Sequence, residues 1–296
     1  MAAISGINGL LSVNGTSAIA TVRDWDINPS NAVVAGAASN SGGAQFNLRG
    51  VSDFSGSFNI YGPSCLGVVV PGTAYILYGQ TGGGGEVKGG IIIDSAQITC
   101  DIEAGGILSA AVNFSSIGSS TAVYTADNAA LAYQAATSLT NTTTPTIQSS
   151  LGCKAMWGPV GSSVADVPAV RSWNLTLTSE NQSLSHSGAG GVTKRVRGLK
   201  SAAASIQFYE GALADFDEAA TNYQQGTAGV LRLHTDATLY WLMNWGIVTA
   251  SPISTPIESA EKVTNQMDFA WTAYTDISGT ITKGTIVDPN SVAFFS

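Results

Sequence analysis

The segment Val22-Arg23-Asp24-Trp25-Asp26-Ile27 recurs 148 residues later as Val170-Arg171-Ser172-Trp173-Asn174-Leu175, in a chain of 296 residues, twice that offset. The same spacing carries Arg49-Gly50-Val51 into Arg197-Gly198-Leu199 and Ser57-Phe58-Asn59-Ile60-Tyr61 into Ser205-Ile206-Gln207-Phe208-Tyr209. Across residues 22–61 the ungapped match holds 10 identities in 40 positions, and self-similarity at one fixed offset is the mark of duplicated units. Beyond Tyr61 the register drifts and gaps are needed. Two homologous domains are therefore expected, 1–145 and 146–296. Their join falls in the Ser/Thr/Asn-rich stretch 137–150, whose composition reads as an exposed linker.

The repeated pieces alternate with period two, the signature of strands with one packed face. Trp173, Leu175 and Leu177 point one way and Ser172, Asn174 and Thr176 the other. Trp25 and Ile27 oppose Asp24 and Asp26 in the same manner, and Phe58 and Ile60 match Ile206 and Phe208 as inward positions. Each copy closes on a further alternating strand, Leu108-Ala110-Val112-Phe114 in the first and Met267-Phe269-Trp271-Ala273 in the second. Glycine clusters at 42–43, 82–85, 105–106 and 188–191 separate the strands. Two helices are expected beside them. One runs through Leu213, Phe216, Ala220 and Tyr223 to Gly226, with acids at its start; the other is an alanine-rich linker helix over Asp127 to Ala136. The fold class is thus all-β with minor α: two tandem antiparallel sandwich or barrel-like domains, each flanked by a helix or loop.

Composition narrows the function. Charged residues are only 11%, 12 Lys+Arg stand against 20 Asp+Glu, and the net charge is −8. Such a chain is neither a disordered polyelectrolyte nor a protein that holds nucleic acid by charge. No apolar run reaches the roughly 18 residues of a membrane helix, and the start has no basic signal-peptide region. Cys65, Cys100 and Cys153 are odd in number and read as buried thiols, with a Cys65–Cys100 disulfide left open. His186 and His234 lack a zinc-like neighbourhood, so no metal and no cofactor are expected. No catalytic constellation emerges either. Ser185-His186 are adjacent on a strand and point apart, and the Asp24/Asp26 pair becomes Ser172/Asn174 in the second copy. Asp215, Asp217 and Glu218 lack the glycine and terminal glutamate of a calcium loop, and Gly82 to Gly85 lacks a following Gly-Lys-Ser/Thr.

The order of pieces resembles the tail tube (major tail) proteins of tailed bacteriophages. It consists of a Val-Arg-x-Trp-x-hydrophobic strand, a variable loop, an Arg-Gly pair leading to Ser-hydrophobic-x-hydrophobic-Tyr, and a Gly-rich turn, Glu103 to Ile107, into an alternating strand. The resemblance covers most of each copy at the level of pattern, without a signature motif. It implies two packed antiparallel sheets, or a barrel-like sandwich, with a flanking helix. It also implies rings of six such domains whose inner strands join into one barrel, and stacking of rings into a tube that conducts double-stranded DNA. Two copies per chain then imply three chains per pseudo-hexameric ring. The implied partners are further copies of the chain and the tape measure, terminator, baseplate or sheath proteins, with no membrane; the implied location is the virion tail, assembled in the host cytoplasm. Both copies are acidic, −5 and −3, as a conduit that must not hold a polyanion requires.

The one basic cluster, Lys194, Arg195, Arg197 and Lys200, reads either as an inter-subunit contact or as a solvated loop. Two further functions stay open on sequence alone: a tandem β-sandwich adhesin or carbohydrate-binding module, and an all-β glycan-active enzyme.

Overall fold

The computed structural model describes residues 9–13, 15, 18–19, 21–36, 42, 44–62, 70–82, 84–118, 131–135, 139, 147, 149–184, 192–209, 225–250, 253–254 and 264–272, with short strand pieces at 274–275, 281–282, 286–287 and 293–295. Within them the protein is all-β and antiparallel. The first half holds β1 (Leu10–Val13), β2 (Val22–Gly36), β3 (Phe46–Tyr61), β4 (Ala74–Gln80), β5 (Gly85–Asp101), β6 (Ser109–Ser116) and β7 (Ala132–Ala135). The second holds β8 (Lys154–Pro159), β9 (Ala165–Asp166), β10 (Val170–Ser179), β11 (Gln182–Leu184), β12 (Lys194–Val196), β13 (Lys200–Tyr209), β14 (Ala228–His234), β15 (Tyr240–Ala250), β16 (Ile253–Ser254) and β17 (Thr264–Trp271).

One pairing scheme runs twice. In the first half β1 pairs with β4, β4 with β5, β5 with β6, β6 with β3 and β3 with β2. In the second half β8 pairs with β14, β14 with β15, β15 with β17, β17 with β13 and β13 with β10. Irregularities recur with the scheme. The β2–β3 ladder shifts register between Val22 and Asp24, and the β10–β13 ladder between Val170 and Ser172. The β5–β6 ladder shifts at Asp94 and the β15–β17 ladder at Thr249. β-Bulges are positional features of a fold, so their recurrence at matching sites follows the duplicated pattern down to single residues.

β5 spans two layers. Its first part pairs with β4 and its later part with β6, and β15 likewise passes from β14 to β17. The layers enclose one continuous apolar core drawn from both halves. Trp157 of β8 meets Phe269 of β17 with ring centroids 4.8 Å apart, and Phe58 of β3 meets Phe114 of β6 at 6.1 Å. Of the eight repeat-core positions, Phe58, Ile60, Trp173, Leu175, Ile206 and Phe208 are buried, whereas Trp25 and Ile27 are only half-buried. The difference has a plain cause: β10 lies between β5 and β13, while among the described residues β2 has a neighbour on one side only.

Several expectations need correction. Residues 132–135 of the expected linker helix form strand β7, which pairs Ala132 with Lys88 and Gly85 with Ala135 along the edge of β5. An open strand edge needs backbone partners, and that demand outweighs alanine's helix preference. The expected 213–226 helix lies almost wholly outside the described residues, as do Ser185, His186, Cys65 and the boundary at 145/146. The expected linker is exposed at Ile147 and Ser149 but not at its last residue. Ser150 is buried, opens a short 3-10 turn, and donates its hydroxyl to the carbonyls of Asp101 and Gly106. Cys100 and Cys153 are buried free thiols; a hydrogen bond between them pushes Cys100 up and Cys153 down from the usual thiol range. No helix among the described residues is long and apolar enough to cross a membrane.

Candidate assembly interface

The halves meet edge to edge. β10 lies antiparallel to the later part of β5, with Trp173 opposite Cys100, Leu175 opposite Ile98 and Thr178 opposite Ser95. The result is one sheet in the order β2–β3–β6–β5–β10–β13–β17, with the end of β15 and β16 as its outer strand beyond β17. Among the described residues, each end of this sheet is open. Among those residues β2 pairs only with β3, and Ala250, Ile253 and Ser254 pair only with β17.

Those two open edges are the counterparts of the two strands that meet in the middle. β2 corresponds to β10 at an offset of 148. The end of β15 and β16 correspond to β5, because Ile93 faces Phe114 as Val248 faces Phe269, and Ile98 faces Ala110 as Ile253 faces Asn265. The internal junction therefore gives the register that the open edges would adopt against one another. Ile27 would lie opposite Ile253, as Leu175 lies opposite Ile98.

The outward face of the sheet has a distinctive chemistry. Its positions include Asp24, Asp26, Ser57, Asn59, Ser95, Gln97, Thr99, Ala111, Asn113, Ser172, Asn174, Thr176, Ser201, Ser205, Gln207, Gln266 and Asp268, which alternate with the buried core. None is Lys or Arg. Neighbouring strands are laced by side-chain hydrogen bonds, Asn113 to Ser95 at 3.0 Å, Gln207 to Gln266 at 3.3 Å, Ser57 to Asp26 and Asn59 to Asp24, and within β17 Gln266 donates to Asp268 at 2.8 Å. Asp24 and Asp26 thus serve as surface acceptors on one sheet face. Among the described side chains of this face, arginines enter at the two matched bulges, each beside an acid. Arg23 sits 3.5 Å from Asp24; Arg171 pairs with Glu103 and stacks 5.1 Å over the ring of Tyr209.

Each half also projects a hairpin arm from the far end of this sheet. In the first half, residues 33–36 pair with 46–49, matching Val34 to Leu48, Ala35 to Asn47 and Gly36 to Phe46. In the second, Gln182 matches Val196, Ser183 matches Arg195 and Leu184 matches Lys194, each pair again 148 residues on. The repeated Arg-Gly dipeptide belongs to the base of the arm. A Cβ on Gly50 would lie 2.9 Å from the carbonyl oxygen of Ala32, and one on Gly198 would overlap that of Glu180, the residue 148 beyond Ala32. Each glycine lets a kinked partner strand pass close by.

Here the basic cluster finds its place. The second arm lies on the first half of the same chain. Arg195 forks onto Asp53 at 2.7 and 2.6 Å and donates to the Ser116 carbonyl at 2.7 Å, with side chains only 15% and 24% exposed. Lys194 donates to the Gly118 carbonyl, Asn181 to the Ile93 carbonyl and to Asp94, and Val192 bridges Ser52. The contact of Lys194 and Arg195 is therefore internal to one chain, where the sequence suggested either a contact between subunits or open solvent. Arg197 is exposed, with its stem over Gly72; Lys200 is half-buried, and that burial together with Arg197 lowers its ammonium from the ordinary range. Sequence reasoning missed Asp53, Asp94 and Gly118 as the receiving side, since nothing local marks them.

No family model matches the chain, and no curated protein does. Fifteen chains of solved structures match it. One, titled "Tail of empty GTA particle computed with helical refinement, C6 symmetry", is similar with a TM-score of 0.35 and 12% identity over 45% of this chain and 95% of that one. At that score the likeness carries neither fold nor role.

Proposed function

We propose that this chain is the non-enzymatic building block of a bacteriophage tail tube. Copies join edge to edge into rings, rings stack into a hollow tube, and double-stranded DNA passes through without being held. The observation that carries this reading is the pair of open sheet edges, which match in kind and register the two strands already joined inside the chain. Open edges are an aggregation hazard for a lone protein, and closure of a sheet into a barrel removes them.

The resemblance seen in the sequence supplies the ring size, six tube domains and hence three chains. The sheet contributes eight strands per chain, counting the end of β15 with β16 as one. About 24 strands at ~4.8 Å spacing and ~40° tilt give a backbone diameter of roughly 45–50 Å, wide enough for a duplex. The outward face, whose arginines at the two bulges each sit beside an acid, would line that channel. Phosphates bind Lys and Arg by releasing counterions, so a lining of amides, hydroxyls and carboxylates offers DNA no such grip. In the same reading the protein belongs to the virion tail and is assembled in the host cytoplasm. Its partners there are other copies and the tape measure, terminator, baseplate or sheath proteins.

Electron microscopy of the purified protein tests the reading. Rings or stacked tubes with a central hole are the expected result, and a monomer that persists at high concentration overturns it. An I27C/I253C pair should form disulfides between copies on mild oxidation, at the register copied from Leu175 and Ile98. For the channel, lysines placed at Asn113, Asn174 and Ser205 should slow DNA ejection from assembled particles; unchanged ejection would refute the electrostatic part.

A further inference from the structure

The first arm carries Val33, Val34, Phe46 and Leu48, exposed by 65%, 57%, 50% and 65%. Its twin in the second half is seated on protein. We propose that the first arm seats on the second half of a neighbouring copy, at the surface formed by Ser201, Thr249, Trp271 and Thr272. This inference rests on the ring reading above and adds a second, lateral clasp to the strand junction.

The occupant follows from the internal example. Superposing the repeats carries the receiving residues of the filled seat onto definite counterparts. Asp53 becomes Ser201 at an offset of 148, and the bulged Asp94 becomes the bulged Thr249. Ser116 becomes Trp271, because β6 maps on β17 through Phe114 and Phe269. The docking residues change in step. Arg195 becomes Asn47, Asn181 becomes Val33 and Lys194 becomes Phe46. In the filled seat two acids receive a guanidinium and an amide. In the open seat both acids are gone, a half-buried tryptophan stands beside them, and the arm offers apolar side chains in place of its cations. Arm and seat have thus lost charge together, which fits the arm to this seat and not to the acidic one. Burial of the arm also removes four exposed apolar side chains from water. Within a single chain the first arm and this seat lie at opposite ends of the sheet, so the seat belongs to the next copy around a closed ring.

The test places cysteines at Asn47 and Ser201, the counterparts of the Arg195–Asp53 contact, with each single variant as a control for the native thiols. Ring size is first read from the parent protein by electron microscopy. On oxidation, N47C/S201C should give a ladder on non-reducing gels that stops at the number of chains in one ring. The F46D substitution should raise the concentration needed for assembly at least tenfold while leaving the circular dichroism of the unassembled chain unchanged. Rings in the parent with no ladder above the single-cysteine controls overturn the clasp and leave the ring reading standing. A ladder that runs past the ring size overturns lateral docking by showing that the arm reaches another ring. A parent that never assembles overturns both.

Discussion

The arm of the first half and the arm of the second hold the same register at an offset of 148 residues, yet their surroundings differ in kind. The second is pinned by a forked Arg195–Asp53 pair and by hydrogen bonds to Ile93, Asp94 and Gly118. The first leaves Val33 and Leu48 mostly in water. The strands beneath behave alike: β10 is paired on both sides and buries Trp173, while β2 is paired on one side and leaves Trp25 half-exposed. The repeated pairing scheme thus shows one seated arm and one exposed arm in the same molecule.

The comparison can be broken most sharply at the matched tryptophans. W173A removes a fully buried indole from the internal junction and should cost about 3–5 kcal/mol; W25A should cost about half of that or less, read by urea unfolding of the unassembled chain. Equal losses would mean that the two strands are equally packed. The glycines at the arm bases come next. In G198A the new methyl meets backbone that cannot yield, so a loss of about 2–3 kcal/mol is expected, against about 1 kcal/mol for G50A, where the gap is wider. The same urea series measures both.

A smaller effect is expected at the clasp. R195A strands the partly buried Asp53 carboxylate and should cost about 1–2 kcal/mol after allowance for its remaining solvent contact. N47A, at the counterpart position, should leave the stability of the unassembled chain within about 0.5 kcal/mol. A pH effect belongs to the second half, which holds both histidines. Burial first, and then the charge of Lys154, lowers the pKa of His234 from its ordinary 6.5. The unfolded chain therefore takes up this proton first. Stability should fall as pH drops below about 6.5 toward the folded value, by no more than about 1.4 kcal/mol per pH unit for one proton. H234Q should flatten that slope in unfolding titrations between pH 7 and 5, and an unchanged slope would assign the effect to carboxylates.

Much of this architecture is legible in the sequence, for a reason that is local. Alternation marks a strand with one packed face, so Phe58, Ile60, Leu175 and Ile206 could be read as core from spacing alone. Duplication leaves an offset, and the offset finds the same strands twice. The repeated Arg-Gly pair was visible too, although its cause, a partner chain that bulges at Ala32 and breaks between β10 and β11 at Glu180, was not. Residues 132–135 mislead, because alanine's helix preference is weak and an open edge of β5 claims their backbone.

The sequence by itself determined that the chain is all-β, that its strands come in two matched sets, and that its charges are few and acidic. Only the tertiary structure decided which edges meet, that β5 and not another strand receives β10, and that Arg195 closes on Asp53 within the chain. The physical reason is that strand pairing is made by backbone groups common to every residue. Side chains fix which face of a strand is buried, but which edge finds a partner depends on where the rest of the chain has already folded.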